Sequence, residues 1–452
     1  MRAIFFCLWF SLYWGSVSAQ VLINEVCAAN FSLLLDNYGE YEDWIELYNA
    51  GTQAVNLEGY HLSDKMDQPE KWTFPEGVLL PPQSHLLVFA SDRDVVSGGF
   101  MHAGFKLTQT KQEIVSLRAP DGTLLDLFEF PTPNQMNHSW GRATDAAAQW
   151  HIFPVPTPGG PNGGQHFAAY EAKPTMSHQA GFYEGPLLVY LEAPPGAIIR
   201  YTLDGTEPQS NSPVYTYPLM LTETTVVKAR AFPTADDLLP SFVQVNTFFL
   251  DESFSVPVIS IAGDAIDELM AGNLDLMPIG SFELFGESQQ LIDRAYGEFN
   301  KHGNDSWAYA QRGIDYITRD QLGYTSSIAH QVFPSKARDR FQRFILKAAA
   351  NDNYPFSNGG AHIRDAYVHT LSQKAGLHLD ERTYQPCVLF VNGAYWGVYE
   401  IREKVDDPDF TRHYYDQGRK WIDLNVGQYL GRIRQLGRLV RSVRLHLEPR
   451  YE

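Results

Sequence analysis

The chain has 452 residues, a formal net charge of −18 at pH 7 and 44% hydrophobic residues. This length predicts several domains, each large enough to bury a core of its own. The negative charge argues against non-specific nucleic-acid binding and against attachment to an anionic membrane, because both require a basic surface.

The first nineteen residues have the pattern of a secretory signal peptide. Arg2 precedes an apolar run over residues 3–14, and Val17 and Ala19 occupy the two small-residue positions before the expected cleavage site at Gln20. The run is shorter than the ~20 residues that cross a bilayer, and no later stretch is long and apolar enough to do so. We therefore expect a bacterial protein that is secreted or at the cell surface and has no membrane span.

Two cysteines remain after removal of the signal peptide. Cys27 and Cys387 are far apart in the sequence and fall in different predicted modules. Although export permits disulfides, this arrangement predicts two buried thiols rather than a disulfide framework.

Short strands separated by turns fill the first part of the mature chain. Runs rich in Val, Ile, Leu and aromatic residues predict strands at 21–26, 44–48, 85–89, 113–117 and 124–128. With no helices between them, these strands predict a β-sandwich over residues 20–160. Proline and glycine crowd residues 154–164 and predict an unpacked linker, which we place at 161–172.

A group of acidic residues lies within this first module at Asp36, Glu40, Glu42, Asp43 and Glu46. Clustered carboxylates are typical calcium ligands. However, the Asp-x-Asp-x-Asp-Gly spacing of a calcium loop is absent. The pattern therefore favours a solvated loop that leads into an edge strand.

The strand sequences of the first module resemble the bacterial lamin-tail domain. The resemblance lies in Val-Leu-Ile-Asn-Glu-Val at 21–26, Asp-Trp-Ile-Glu-Leu-Tyr-Asn at 43–49 and Ser-Trp-Gly-Arg at 139–142. It implies an immunoglobulin-like fold and a surface-associated binding or spacer role.

A second β-rich module is predicted at residues 173–251. The string Tyr-Thr-Leu-Asp-Gly-Thr-Glu-Pro at 201–208 joins a strand to a turn, and a further strand covers 226–232. This string resembles the small β-sandwich at the end of chitobiases and hexosaminidases. The resemblance implies a structural spacer, with carbohydrate contact as the alternative.

Helical and strand patterns mix in the third module, residues 252–417. Strands are predicted at 256–261 and 341–349, and a helix at 361–375 with apolar residues that include Ile363, Tyr367 and Leu371. Asn392-Gly393 between two apolar runs predicts a hairpin over 386–399. The whole chain is thus expected to have two all-β immunoglobulin-like sandwiches followed by a partial α+β module.

This third module resembles the CotH family of atypical secreted protein kinases. The most specific string is Asn-Gly-Ala-Tyr-Trp-Gly-Val-Tyr at 392–399, supported by Lys-His-Gly-Asn-Asp-Ser at 301–306 and Ala-Asn-Asp at 350–352. The resemblance implies a kinase-like fold that uses ATP with Mg²⁺ or Mn²⁺. It also implies a partner protein whose serine or threonine residues accept the phosphoryl group.

Phosphoryl transfer requires a cation on the nucleotide phosphates and acidic ligands for the metal. Lys347, at the end of a strand, is the leading candidate for the nucleotide-binding cation, and Arg364 is the second. Glu403 follows the hairpin, where a kinase-like fold would place its hinge. The structural alternatives are an exposed lysine, an arginine paired with Asp365 and an acid paired with Lys404.

Common nucleotide-binding and catalytic motifs are absent from the sequence. It has no Gly-x-Gly-x-x-Gly loop, Walker motif or His-Arg-Asp string, and Arg319-Asp320 lacks the preceding histidine. The resemblance places the catalytic and metal-binding aspartates downstream of the hairpin, so we expect them to lie beyond the chain and assign no metal ligand.

Residues 418–452 differ in composition from the rest of the chain. They hold eight Lys and Arg residues, and apolar residues follow a weak helical period at Leu430, Ile433, Leu436, Leu439, Val440 and Val443. One interpretation is a genuine basic tail that binds an acidic partner. The other, which we favour, is a frameshifted or mispredicted C-terminus.

Two functional hypotheses follow from these patterns. The first is a secreted CotH-like kinase that is inactive in this chain and shows no ATP turnover. The second is a non-catalytic cell-surface binding or scaffold protein with a degenerate kinase-like module.

Overall fold

The computed structural model describes residues 20–353, 360–377 and 379–417. The predicted signal peptide and the basic segment 418–452 therefore lie outside the described residues. Strands dominate the described part, as the fold class predicted, and helices are few and short. None of the described helices has the length and apolar character needed to cross a membrane.

The first module is a sandwich built on a seven-stranded sheet. In spatial order its strands are Trp150–Phe153, Ser139–Arg142, Val21–Cys27, Asp43–Asn49, His85–Ala90, Phe100–Ala103 and Val95–Ser97. The facing sheet contains Leu124–Glu129, Ile114–Arg118, His61–Ser63 and Trp72–Thr73. Val55–Asn56 pairs with Leu79–Leu80, and a 3₁₀ turn spans Gln109–Lys111.

Apolar residues from both sheets meet in one core. Ile23, Ile45 and Val88 from the larger sheet pack with Val115 and Leu117 from the smaller one. Alternate positions on a strand share a face, so this pattern of burial is what a sandwich core requires.

The acidic group of the first module is buried, contrary to the expectation of a solvated loop. Asp36, Glu42, Asp43 and Glu46 are all buried. The strand Asp43–Asn49 is also an interior strand, flanked on both sides, rather than an edge strand. Cations neutralise part of the group, since Arg93 pairs with Glu40 at 2.9 Å and Lys106 pairs with Glu42.

The stretch 154–164 packs against the first module, so the prediction of an unpacked linker does not describe it. Thr157 donates through its backbone N–H and its hydroxyl to Glu25, and the Gly159 N–H donates to Glu46. Asn162 is buried and donates to the backbone oxygens of Asn24 and Arg142. The polar residues bind buried polar groups of the sheet, which composition alone does not indicate.

The second module has a four-stranded sheet with smaller strand pairs. The sheet order is Gly181–Tyr183, Gln244–Leu250, Thr225–Phe232 and Ile198–Thr202. The pairs are Leu187–Val189 with Leu219–Leu221, Thr175–Met176 with Leu191–Glu192, and Ala169–Tyr170 with Leu238–Leu239. Its core includes Val189, Val227 and Phe248.

The third module is organised around a closed seven-stranded barrel. Around the barrel the strands are Val258–Ala262, Ile279–Phe285, Leu291–Lys301, Ile314–Thr318, Arg343–Lys347, Ala394–Glu403 and Tyr384–Val391. The first and last of these pair in parallel and close the barrel. Ile328–Ala329 pairs with Arg340–Phe341 outside it.

Three short helices complete the third module. They span Ile266–Ala271, Arg364–Lys374 and Pro408–Tyr415, and 3₁₀ turns lie at Asp305–Ala308, Asp320–Leu322 and Ala350–Asp352. The predicted hairpin is confirmed, because Tyr384–Val391 and Ala394–Glu403 are joined by Asn392 and Gly393, both at positive φ. Cys27 and Cys387 are both buried free thiols, as predicted.

Polar contacts join the third module to the other two. Asp320 accepts the Gln109 N–H of the first module at 2.8 Å. Lys228 of the second module is fully buried and donates to the Ala262 oxygen of the barrel at 2.9 Å. The barrel residue Glu283 accepts the backbone N–H and the hydroxyl of Thr247, at 3.0 and 2.6 Å. Each contact is specific and buried, so the modules are interlocked rather than strung on free linkers.

Candidate functional site

Lys347 ends the barrel strand Arg343–Lys347 and reaches a carboxylate on the next helix. Its Nζ donates to Asp365, in the first turn of the helix Arg364–Lys374. Arg402 binds the same Asp365 oxygen at 2.7 Å. Partial burial opposes ionisation of Asp365, but the hydrogen bond from Lys347 and the charge of Arg402 lower its pKa to about 2.

A second carboxylate completes this group of charges. Glu400 lies opposite Lys347 in the strand register and accepts the Arg402 Nε at 2.8 Å. We call Lys347, Asp365, Glu400 and Arg402 the Lys347 cluster. Two cations and two carboxylates balance its charge, and only Lys347 and Asp365 have partly exposed side chains, at 19% and 44%.

Arg364 lies beside this cluster but has its own partner. Its guanidinium pairs with Asp352 at 3.0 Å, so the alternative of a pair with Asp365 is wrong. Asp352 also accepts the backbone N–H groups of Arg364 and Ala361. The Arg364 side chain is 62% exposed, which leaves its other N–H groups accessible to a ligand.

Glu403 occupies a different environment. It is fully buried, pairs with Arg338 at 3.4 Å and accepts the Tyr414 hydroxyl at 2.9 Å. The alternative of a pair with Lys404 is therefore wrong. Because successive residues of a strand face opposite sides, Glu403 points away from Glu400 and Arg402. The structure thus places Arg364 next in sequence to the Asp365 that binds Lys347, and it gives Glu403 separate partners.

Sequence reasoning missed three members of the Lys347 cluster as site residues. Glu400 and Arg402 are spaced by two on a predicted strand, which places them on one face. Asp365 follows directly on Arg364 at the start of a predicted helix. Those two signals were available, but the pairing with Lys347 depends on contacts across the barrel that spacing does not give.

The described residues near Lys347 offer no evident metal site. Across residues 20–353, 360–377 and 379–417, no three or more His, Cys, Asp and Glu side chains form a group suited to a metal ion. Asp365, Glu400 and Asp352 each bind a lysine or an arginine instead. The carboxylates present therefore do not fit a divalent cation, whose ligands are negatively charged oxygens free of competing cations.

A surface cavity lies elsewhere, on the second module. It has a volume of about 290 Å³ and is lined by Tyr201, Leu203, Thr216, Tyr217, Pro218, Leu219 and Met220. None of these residues belongs to the Lys347 cluster, so we assign this cavity no role in phosphoryl transfer.

The fold and the site define a modular protein with two β-sandwiches followed by a barrel. A lysine at the end of a barrel strand pairs with a carboxylate on the next helix. Comparison with known families agrees with this organisation. The chain matches the Lamin Tail Domain over residues 15–132, the Chitobiase/beta-hexosaminidase C-terminal domain over 178–238 and the CotH kinase protein family over 319–430. No curated protein matches the chain.

The three matches follow the order predicted from the sequence, so successive segments of the chain are similar to a lamin tail domain, a chitobiase C-terminal domain and a CotH kinase. The CotH match contains Lys347, Arg364 and Glu403. It also extends twelve residues past Gly418, up to Leu430, and ends before Arg432, where the basic residues become dense.

Proposed function

We propose that this chain is a secreted or cell-surface protein whose third module is a CotH-like atypical kinase module that binds ATP phosphates through Lys347. The observation that carries the proposal is the ion pair between Lys347 on a strand and Asp365 on the following helix. Protein kinases use a lysine on a strand and an acid on a helix in this way to place the lysine on the nucleotide phosphates. The CotH match over both residues supports the comparison.

Within this proposal each charged residue has a definite task. Asp365, itself bound by Arg402, holds the Lys347 ammonium at the partly exposed end of its strand. Phosphate oxygens then share Lys347 with Asp365, and the exposed Arg364 guanidinium supplies a second cation.

We further propose that the chain transfers no phosphoryl group, although the family implies transfer to serine or threonine. The support is local, because the carboxylates beside Lys347 are all bound by cations and are poor metal ligands. The second candidate function is a binding or scaffold protein. The two β-sandwiches that precede the barrel and lock onto it favour that function.

Binding of ATP to the purified chain tests the role of Lys347. We expect titration calorimetry to show binding that weakens at least about tenfold in Lys347→Ala, since a charged hydrogen-bonding partner of phosphate is lost. Lys374→Ala is the matched control, because Lys374 is exposed at the end of the helix that carries Asp365. Binding that is equal in the two variants, or absent from the unmodified chain, would favour the scaffold function.

Transfer is measured separately with γ-labelled ATP, Mg²⁺ or Mn²⁺ and a serine-rich acceptor protein. We expect no labelled product from the unmodified chain. Label incorporation that disappears in Lys347→Ala would show an active kinase and contradict the inactive state, while leaving the nucleotide-binding role intact.

A further inference from the structure

The helix Arg364–Lys374 turns its apolar side chains outward. Ile363, Tyr367 and Leu371 follow one another at four-residue spacing and therefore share a face. They are 53%, 62% and 53% exposed, and the neighbouring Val368 is 60% exposed. The loop after the helix adds Leu377 and Leu379 at 53% and 62%. We call these six residues the outer patch.

The inner face of the same helix is held mainly by polar contacts. Asp365 binds Lys347 and Arg402, and Ser372 donates to Glu381 at 2.6 Å. Gln373 donates to the Thr383 hydroxyl at 2.9 Å. Ala366 is the sole buried residue of the helix among the described side chains. A helix of a folded domain normally places its apolar stripe against the core, and this helix does the reverse.

An apolar stripe of this size indicates a surface that another segment covers. Contiguous exposed apolar patches on folded proteins mark interaction sites or invite aggregation. We propose that residues 418–452 of the same chain, taken here as a genuine basic tail, cover the outer patch. This inference goes beyond the nucleotide-binding proposal and does not depend on it.

The position of the chain at residue 417 favours this occupant. The helix Pro408–Tyr415 leads directly to that point, and the Tyr415 hydroxyl donates to Asp380. Asp380 is adjacent to Leu379 of the outer patch. The segment 418–452 thus begins next to the patch, and a contact within the chain is favoured by its high effective concentration.

The composition of the segment matches the patch and its surroundings. Leu430, Ile433, Leu436, Val440 and Val443 recur every three or four residues and supply apolar contacts. The segment has eight Lys or Arg and three Asp or Glu, a charge of +5, which leaves −23 for the other residues of the chain. Acidic groups near this point of the chain include the exposed Asp380 and the exposed Asp416, which caps the helix Pro408–Tyr415.

Photocrosslinking in the full chain tests the contact. Benzoylphenylalanine is placed at Tyr367 and, as a matched control, at Tyr217, an 80% exposed tyrosine of the second module. We expect mass spectrometry to find adducts with peptides of 418–452 from position 367, at least fivefold above those from position 217. Equal yields from the two positions, or adducts from position 367 that join two chains or involve other segments, overturn the proposal.

A charge placed in the outer patch gives an independent readout. Leu371→Glu should release the segment, so that trypsin cleaves between Arg432 and Arg444 at least about tenfold faster than in the unmodified full chain. Leu79→Glu is the control, because Leu79 is 63% exposed on the first module. Cleavage rates that match in the two variants contradict the proposal. A dimer whose dissociation follows Leu371→Glu would assign the patch to a second copy instead.

Discussion

Two buried glutamates of the first module have pKa values that composition does not indicate. Glu25 and Glu46 are opposed across two strands of the first module and are fully buried. Within the described part of the chain neither pairs with a cation, and both are held by hydrogen bonds from Ser139, Thr157, Asn24 and Gly159. Burial raises the pKa of Glu25, and it raises that of Glu46 to about 8 against the hydrogen bonds from Asn24 and Gly159.

The Glu46 carboxyl should make stability depend on pH. Its pKa is 4.5 in the unfolded chain and about 8 in the folded state, so folding takes up a proton between these values. The free energy of unfolding therefore falls as pH rises through this window. In Glu46→Gln this fall should shrink by roughly 4–5 kcal/mol, since each pKa unit corresponds to about 1.4 kcal/mol.

Urea unfolding at pH values from 5 to 9 measures this dependence. Glu58→Gln serves as the control, because Glu58 is exposed on the same module. Glu25 keeps part of the slope in both variants, as its raised pKa acts with the same sign. Parallel pH profiles for the Glu46 and Glu58 variants would show that the proton resides elsewhere.

At the scale of single elements, the close approach of two barrel strands restricts which residue fits at position 297. Gly297 lies in the strand Leu291–Lys301, where a Cβ atom would overlap the Ile317 backbone oxygen on the next strand and come within 2.6 Å of the Tyr316 ring. Backbone cannot move aside without breaking the ladder between these strands. Gly297→Ala should therefore lower the free energy of unfolding by about 1–3 kcal/mol or more.

The comparison variant for this element is Gly164→Ala. A Cβ at Gly164 meets no heavy atom within 4 Å, so this change should leave the urea midpoint nearly unaltered. If the two alanine variants unfold at the same urea concentration, the barrel has adjusted its strands and the steric argument fails.

Elements with a local signal were predictable, and those set by distant contacts were not. The strands at Val21–Cys27 and Asp43–Asn49 and the hairpin at Asn392-Gly393 follow from β-branched runs and turn chemistry. The helix at Arg364–Lys374 was also predicted, but the exposure of Tyr367 and Leu371 was not, because periodicity identifies a stripe without saying what covers it.

The candidate site shows the same division. Lys347 and Arg364 could be selected as cations from their positions on predicted elements. Their partners Asp365 and Asp352 depend on how the helix Arg364–Lys374 sits against the barrel, which a sequence pattern does not encode. Burial of Glu403 by Arg338 and Tyr414 likewise depends on residues that lie far along the chain.

At the scale of the whole molecule, hydrogen bonds to Asp320 join the first and third modules. Asp320 is buried and accepts the N–H groups of Gln109 and Thr110 and the Thr110 hydroxyl. Gln109 returns a bond from its side-chain amide to the Asp320 backbone oxygen at 3.0 Å. The sequence had suggested only that Arg319-Asp320 is not a catalytic loop, and this junction gives Asp320 a structural role.

Without the Asp320 carboxylate, the first and third modules should unfold in separate transitions. In Asp320→Ala the buried N–H groups of Gln109 and Thr110 lose their acceptor, at a cost of about 1–3 kcal/mol. We expect calorimetry to resolve two thermal transitions where the unmodified protein has one. Asp275→Ala, at an exposed position of the third module, should keep the single transition. A single unshifted transition in Asp320→Ala would mean that other junction contacts suffice.

The parallel pair that closes the barrel also constrains the order of events during synthesis. Val258 finds its partner Val388 only after 130 further residues have been made. At ~5–20 residues per second this takes roughly ten seconds, during which the first barrel strand has an unpaired edge. The second module precedes the barrel in the chain, and in the folded protein its Lys228 binds the oxygen of Ala262 at the end of that strand. The contact from Lys228 reaches only the end of the strand, so until residues 388–391 have been made its edge is open to pairing with other chains.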